Sequence, residues 1–175
     1  MKTKHFIIAA LFGLAAVSPA LAQEAAATNS KVLVELDNPL KFTDVRDAYL
    51  PSDKGQIANA EMVRDYIVQK ASEYVPDSYK LDVKITNIDM AGDFEPWGKA
   101  DADDVRIIKD IYPPRIDLSF KLVDSAGNVV KEGTRELRDL NFLMKIDIRR
   151  SDPLRHEKAL IDDWIKKDFK PAKAG

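Results

Sequence analysis

Cysteine is absent from this chain and histidine is nearly so, with His5 and His156 the only two. The first absence removes disulfides, thiolate metal ligands, a cysteine nucleophile and a lipid-bearing cysteine in one stroke. His5 precedes an apolar run that reads as a removable leader, so His156 stands alone in the rest of the chain. His- and Cys-rich zinc or transition-metal sites cannot be assembled from that inventory. "HEKAL" (156–160) has Leu160 where a zinc-protease motif needs its second histidine. Seven scattered glycines form neither a phosphate-cradling loop nor a G-x-S-x-G elbow. No cofactor, no metal and no catalytic residue is expected, and the chain does not read as an enzyme. The net formal charge is −2, and losing Lys2 and Lys4 with the leader makes it two units more negative. That balance gives no basis for nucleic-acid binding.

Long hydrophobic runs are also missing, with one exception. Phe6–Val17, "FIIAALFGLAAV", follows a short basic region and precedes Ser18-Pro19 and the small residues of "ALA" (20–22). This is the pattern of a cleavable signal peptide over residues 1–22, too short for a permanent span of about 20 residues. Export to the periplasm, without lipidation and without a membrane span after cleavage, is the expectation. Residues 23–31 read as a flexible leader and 171–175 as a tail, leaving one domain over 32–170. A domain of that size buries a core without staples.

What is present reads as an α+β fold. "KVLVEL" (31–36) has strand composition, and Pro39, Pro51 and Gly55 break the loop after it. Ile57, Ala60, Val63, Ile67, Ala71 and Tyr74 recur at helical spacing, so a helix is predicted over 56–74, stopped by Pro76. Residues 79–90 alternate as a strand whose apolar phase slips near Thr86-Asn87, predicting a bulge there. Residues 115–124 and 129–137 alternate around "SAGN" as an antiparallel hairpin, with Gly133 marking a second bulge. Residues 141–150 fit strand or helix. Ser151 or Asp152 can then cap a helix with Pro153 at its first position and Leu154, Ile161, Trp164, Ile165 and Phe169 along one side. The expected fold is a mixed, largely antiparallel sheet with two helices on one face, in the order β-α-β-β-β-α.

Two constellations could carry recognition. "GDFEPWGKADADD" (92–104) gathers Asp93, Asp101, Asp103 and Asp104 around Phe94 and Trp97. Its oxygens suit calcium, yet it lacks the alternating acids and terminal Glu of an EF-hand loop. The loop reads first as a solvated, locally ion-paired connection, whose aromatics either tuck onto the domain or face a partner. Arg149, Arg150, Arg155 and His156 gather at the start of the last helix, where they can grip an anion or pair with acidic loops of the same molecule. "DVR" at 44–46 and at 104–106, and "DIR" at 147–149, place an acid and an arginine two apart, which in a strand share a face and can pair locally.

"FTDVR" (42–46), "IKDIYPPRIDLSFKLVDSAGNVVKEG" (108–133) and "NFLMKIDIRRSDPLRHEKALIDDWIKKDF" (141–169) resemble the Domain of Unknown Function 3016 family. The resemblance runs from Val32 to Phe169, with "IYPPRI" and "DDW" its most specific strings. It implies an exported, single-domain protein of Gram-negative proteobacteria, with no assigned activity and no catalytic residues to carry over. The element order and the "LVDSAGNVV" hairpin are also similar to auxiliary and assembly components of the Gram-negative envelope. The leading expectation is a non-enzymatic binding or interaction module with an envelope protein as partner. A small-ligand or metal-responsive periplasmic protein comes second, and a hydrolase third.

Overall fold

The computed structural model describes residues 30–48, 50–95, 105–145 and 151–169. The expected signal peptide, most of the leader and the tail lie outside these residues. So do Trp97, Asp101, Asp103, Asp104, Arg149 and Arg150.

Four strands form one sheet in the order β1 (Val32–Leu36), β2 (Lys80–Asp89), β3 (Arg115–Val123) and β4 (Val129–Arg138). β1 runs parallel to β2, and helix α1 (Asp53–Ser72) makes the crossover between them. β2–β3 and β3–β4 are antiparallel, and helix α2 (Arg155–Phe169) follows the sheet. The expected fold class and element order are therefore those of the molecule.

Alternation decides the faces. Registered rows such as Val34–Val83–Phe120 and Leu36–Ile85–Leu118 point to one side of the sheet. There they join Val63 and Ile67 of α1 and Ile161, Trp164 and Ile165 of α2 in a single core. The opposite face carries opposed charges, as in the row Asp82–Lys121–Glu132, and stays in water. Because side chains alternate with a period of two, only this register buries the apolar set. The register shift in β2 falls between Ile85 and Asn87, where the apolar phase slips.

Four local expectations need correction. α1 begins at Asp53, three residues early, because the Ser52 side chain caps it by accepting from Gly55 N at 3.0 Å. The second register shift lies beside Val123, at the hairpin end, and not at Gly133. Gly133 instead pairs with Phe120, and the Arg135 guanidinium lies 5.0 Å from the Phe120 ring centroid. A Cβ on Gly133 would stand 2.8 Å from Arg135 Nη1, so the missing side chain makes room for that stacking. α2 begins at Arg155, two residues beyond Pro153, although Asp152 does serve its start by accepting from Leu154 N at 2.8 Å. Finally, Phe142–Met144 form a short 3-10 turn, neither strand nor α-helix, and 146–150 lie outside the described residues.

Candidate functional site

One end of the sheet concentrates the unusual chemistry. The carboxyl ends of the parallel strands β1 and β2 meet there with the start of β3, the end of β4 and the first turns of both helices. After β1 the chain turns through a 3-10 segment, Pro39–Lys41, and touches β2 again at Asp44. Asp44 N donates to Ile88 O at 3.1 Å and Met90 N donates to Asp44 O at 2.8 Å. This second contact fixes the Asp44 side chain at the sheet end, 7% exposed.

Two arginines converge on that carboxylate. Arg106 binds it as a fork, Nη1 to Oδ2 and Nη2 to Oδ1, both at 2.9 Å. Arg46 Nε donates to Oδ1 at 3.0 Å, and Arg46 Nη2 also bonds Asp93 Oδ1. Burial pushes the Asp44 carboxyl up, but the bonds from Arg106 and Arg46 outweigh it and hold the group below its ordinary range. Phe94 is buried beneath both guanidiniums, at 4.7 Å from Arg106 and 5.2 Å from Arg46 measured to the ring centroid. The result is a knot of two acids, two arginines and one ring. Asn59 of α1 ties it to the helix layer by donating to the carbonyls of Val45 and Arg46.

The knot also sets the base of the acidic loop. Asp93 and Ile107 exchange both backbone bonds, at 3.0 and 2.8 Å. Gly92 has φ +81°, and a Cβ there would meet Ile107 O and Ile108 Cδ1 at 2.6 Å, so only glycine fits. Lys109 grips both oxygens of Glu95 at 2.6 and 2.7 Å. Of the residues expected to recognise a partner, Asp93 is thus engaged by Arg46, and Phe94 is tucked onto the domain. Arg155 and His156 sit in the first turn of α2, with the His156 ring edge-on to Phe142 at 4.8 Å.

A buried acid lies under this region. Glu157 is 1% exposed, and its Oε1 accepts from Ala91 N at 2.7 Å. Its Oε2 has no partner among the described residues. Burial pushes this carboxyl up, and the Ala91 bond and the charges of Arg106 and Arg155 do not offset it. The folded protein therefore holds this proton more tightly than the unfolded chain does. Its stabilising contribution is complete below the ordinary glutamate value of 4.5 and is lost as pH rises through the folded value. Glu157→Gln, which cannot ionise, should gain in melting temperature over the parent progressively from pH 4 to pH 8. An offset equal at both pH values would show that Glu157 does not titrate in this way.

Two cavities flank the knot. One, of about 360 Å³, is walled by Asp44, Asp89 and Asp93 together with Arg46, Arg115 and Arg138. Asp89 there is pushed up, first by burial and then by the neighbouring Asp44 charge. The other, of about 350 Å³, is bounded by Arg46, Arg106 and Arg155 with Asp47 as its one acid, over Met90, Phe94 and Leu154. A wider depression of about 590 Å³ lies on the outer sheet face, but opposed charges in solvent floor it and no buried group borders on it except Val83 and Phe120. The knot end is the better candidate because its polar groups are fixed and partly desolvated. Among the described residues no group of three or more His, Cys, Asp or Glu is placed to hold a metal ion. No helix among them is long and apolar enough to cross a membrane.

The hub of this site escaped the sequence reading. Asp44 and Arg46 do pair locally, but Arg106 reaches the same Asp44 across 62 positions. The repeated "DVR" string was the one available signal, since both copies contribute an arginine to one carboxylate.

Comparison with known proteins adds a family and no activity. Searches of curated proteins and of solved structures find no match. The family described as "Protein of unknown function (DUF3016)" matches residues 30–167, which include both helices' first turns, all four strands and every residue of the knot. The chain belongs to this family, Protein of unknown function (DUF3016).

Proposed function

We propose that this protein is an exported, non-enzymatic binding module of the cell envelope, recognising its partner at the knot end of the sheet. One observation carries the reading. Two cavities of ligand-binding size flank a preformed network whose charged groups already hold one another in place. Such a network presents fixed donors and acceptors without having to reorganise on binding. Its carboxylates and guanidiniums neutralise each other, so it is suited to recognition more than to proton transfer. Export follows from the Phe6–Val17 run and the small residues before Gln23, and an envelope protein is the partner that this location makes available.

The test is site-specific photo-crosslinking in living cells. A photoreactive residue at Ile111, 66% exposed on the rim of the cavity that holds Asp89, should give a discrete adduct with an envelope protein. The same residue at Lys121, on the outer sheet face, should give none. Adducts from position 121 alone, or protein retained in the cytoplasm with residues 1–22 uncleaved, would reject the reading.

A further inference from the structure

The knot is polarised. Its acids, Asp44 and Asp93, wall one cavity, while Arg106 walls only the other and Arg46 reaches both. The second cavity therefore carries three guanidiniums against a single carboxylate, that of Asp47. Asp47 is itself occupied, accepting from Ser52 N at 3.1 Å and Ser52 Oγ at 3.0 Å. Arg46 and Arg106 are held rigid by Asp44, and Arg46 keeps its Nη1 uncommitted among the described residues. Arg155 differs from both. Half-buried in the first turn of α2, it forms no hydrogen bond or ion pair through its guanidinium among the described residues. Beneath these donors the floor is apolar, formed by Met90, Phe94, Ile108 and Leu154.

We infer that this cavity binds a small molecule with an anionic head group and an apolar body. The head would be gripped by Arg155 and the open edge of Arg46, and the body would lie on Ile108 and Pro153, the apolar wall residues that keep accessible surface. A planar fork is the group that matches a carboxylate or phosphate by paired bonds, and here one unengaged among the described residues stands beside two immobilised ones. The cavity volume lies at the small end of the usual ligand range, which suits an occupant of few atoms. The inference rests on the reading of the knot end as a binding surface and names what one of its cavities takes.

The experiment is calorimetric titration of the mature protein at low ionic strength with octyl phosphate, octanoate, inorganic phosphate and the uncharged octyl glucoside. Saturable binding of octyl phosphate or octanoate is expected, with inorganic phosphate weaker and octyl glucoside silent. Arg155→Ala should weaken the better amphiphile about tenfold or more, the loss of a charge-assisted bond. Arg155→Lys should fall between, and Lys121→Ala on the outer face should match the parent. Equal affinity in the parent and Arg155→Ala, or no saturable binding of either amphiphile, overturns the inference. A discrete crosslink from Ile111 alongside that failure would leave the binding-module reading standing, so the two fail separately.

Discussion

Asp44→Ala should lower the unfolding free energy by about 3–5 kcal/mol, the cost typical of removing one partner from a buried ion pair. The loss is large because Arg106 loses the only carboxylate it holds among the described residues and Arg46 keeps only Asp93. The Arg106 side chain is 14% exposed and the Arg46 side chain 26%, so neither regains full hydration when the carboxylate goes. Urea denaturation of the variant beside Asp77→Ala provides the scale. Asp77 pairs with Lys31 but its side chain is 97% exposed, and its loss should leave the midpoint unchanged. Equal midpoints for the two variants would mean that the knot contributes no more than a surface pair. Acid should act in the same direction as the substitution. The folded-state value of Asp44 lies below the ordinary 3.8, so its stabilisation is present above that value and is lost as pH falls through the folded one. Asp168 adds to the same acid limb. Burial pushes it up, but bonds from Arg135 and Lys131 on β4 prevail and hold it low.

Trp164→Ala should cost a similar amount, about 3–5 kcal/mol, for a different reason. Trp164 is 3% exposed and meets Phe120 and Phe169 edge to face, at 5.9 and 5.6 Å between centroids. Phe120 and Phe169 meet each other at 5.4 Å, so three rings from β3 and α2 close one cluster. Truncating the largest leaves a cavity that its two rigid neighbours cannot fill. Trp164→Phe separates ring packing from hydrogen bonding, because the indole Nε1 has no acceptor among the described residues. The phenylalanine variant should therefore lose much less than the alanine one in the same denaturation assay. Equal losses would show that a smaller ring restores none of the packing, and would contradict the assignment of the stabilisation to ring burial.

The sheet was legible in the sequence because one of its faces is dry and the other wet. Ile116, Leu118, Phe120 and Leu122 are buried while Asp117, Ser119 and Lys121 lie between them, and that contrast is written residue by residue. α1 was legible for the same reason at Ala60, Val63, Ile67 and Ala71, whereas Ile57, counted on the same stripe, is 36% exposed in its second turn. Charged residues gave no such signal. Glu157 sits between His156 and Lys158 in a helix start that reads as a basic cluster, and only the turn that brings Ala91 N to its carboxylate makes it a core residue. Arg106 likewise reads as the partner of its neighbour Asp104, because sequence spacing shows local pairs and hides those made across the fold. Of the two expected recognition clusters, Phe94 belongs to a structural knot, while Arg155, half-buried, keeps a guanidinium unengaged among the described residues.

The central claim is that Asp44 and Arg106, 62 positions apart, form one coupled unit at the base of the site. A double-mutant cycle in urea tests it most directly, with Asp44→Ala, Arg106→Ala and both together. The expected result is a coupling energy of about 2–3 kcal/mol, the upper part of the range for residues in direct contact, so that the double variant loses that much less than the sum of the two single ones. Additive losses, within about 0.5 kcal/mol, would contradict it and return these residues to the status of separate surface charges.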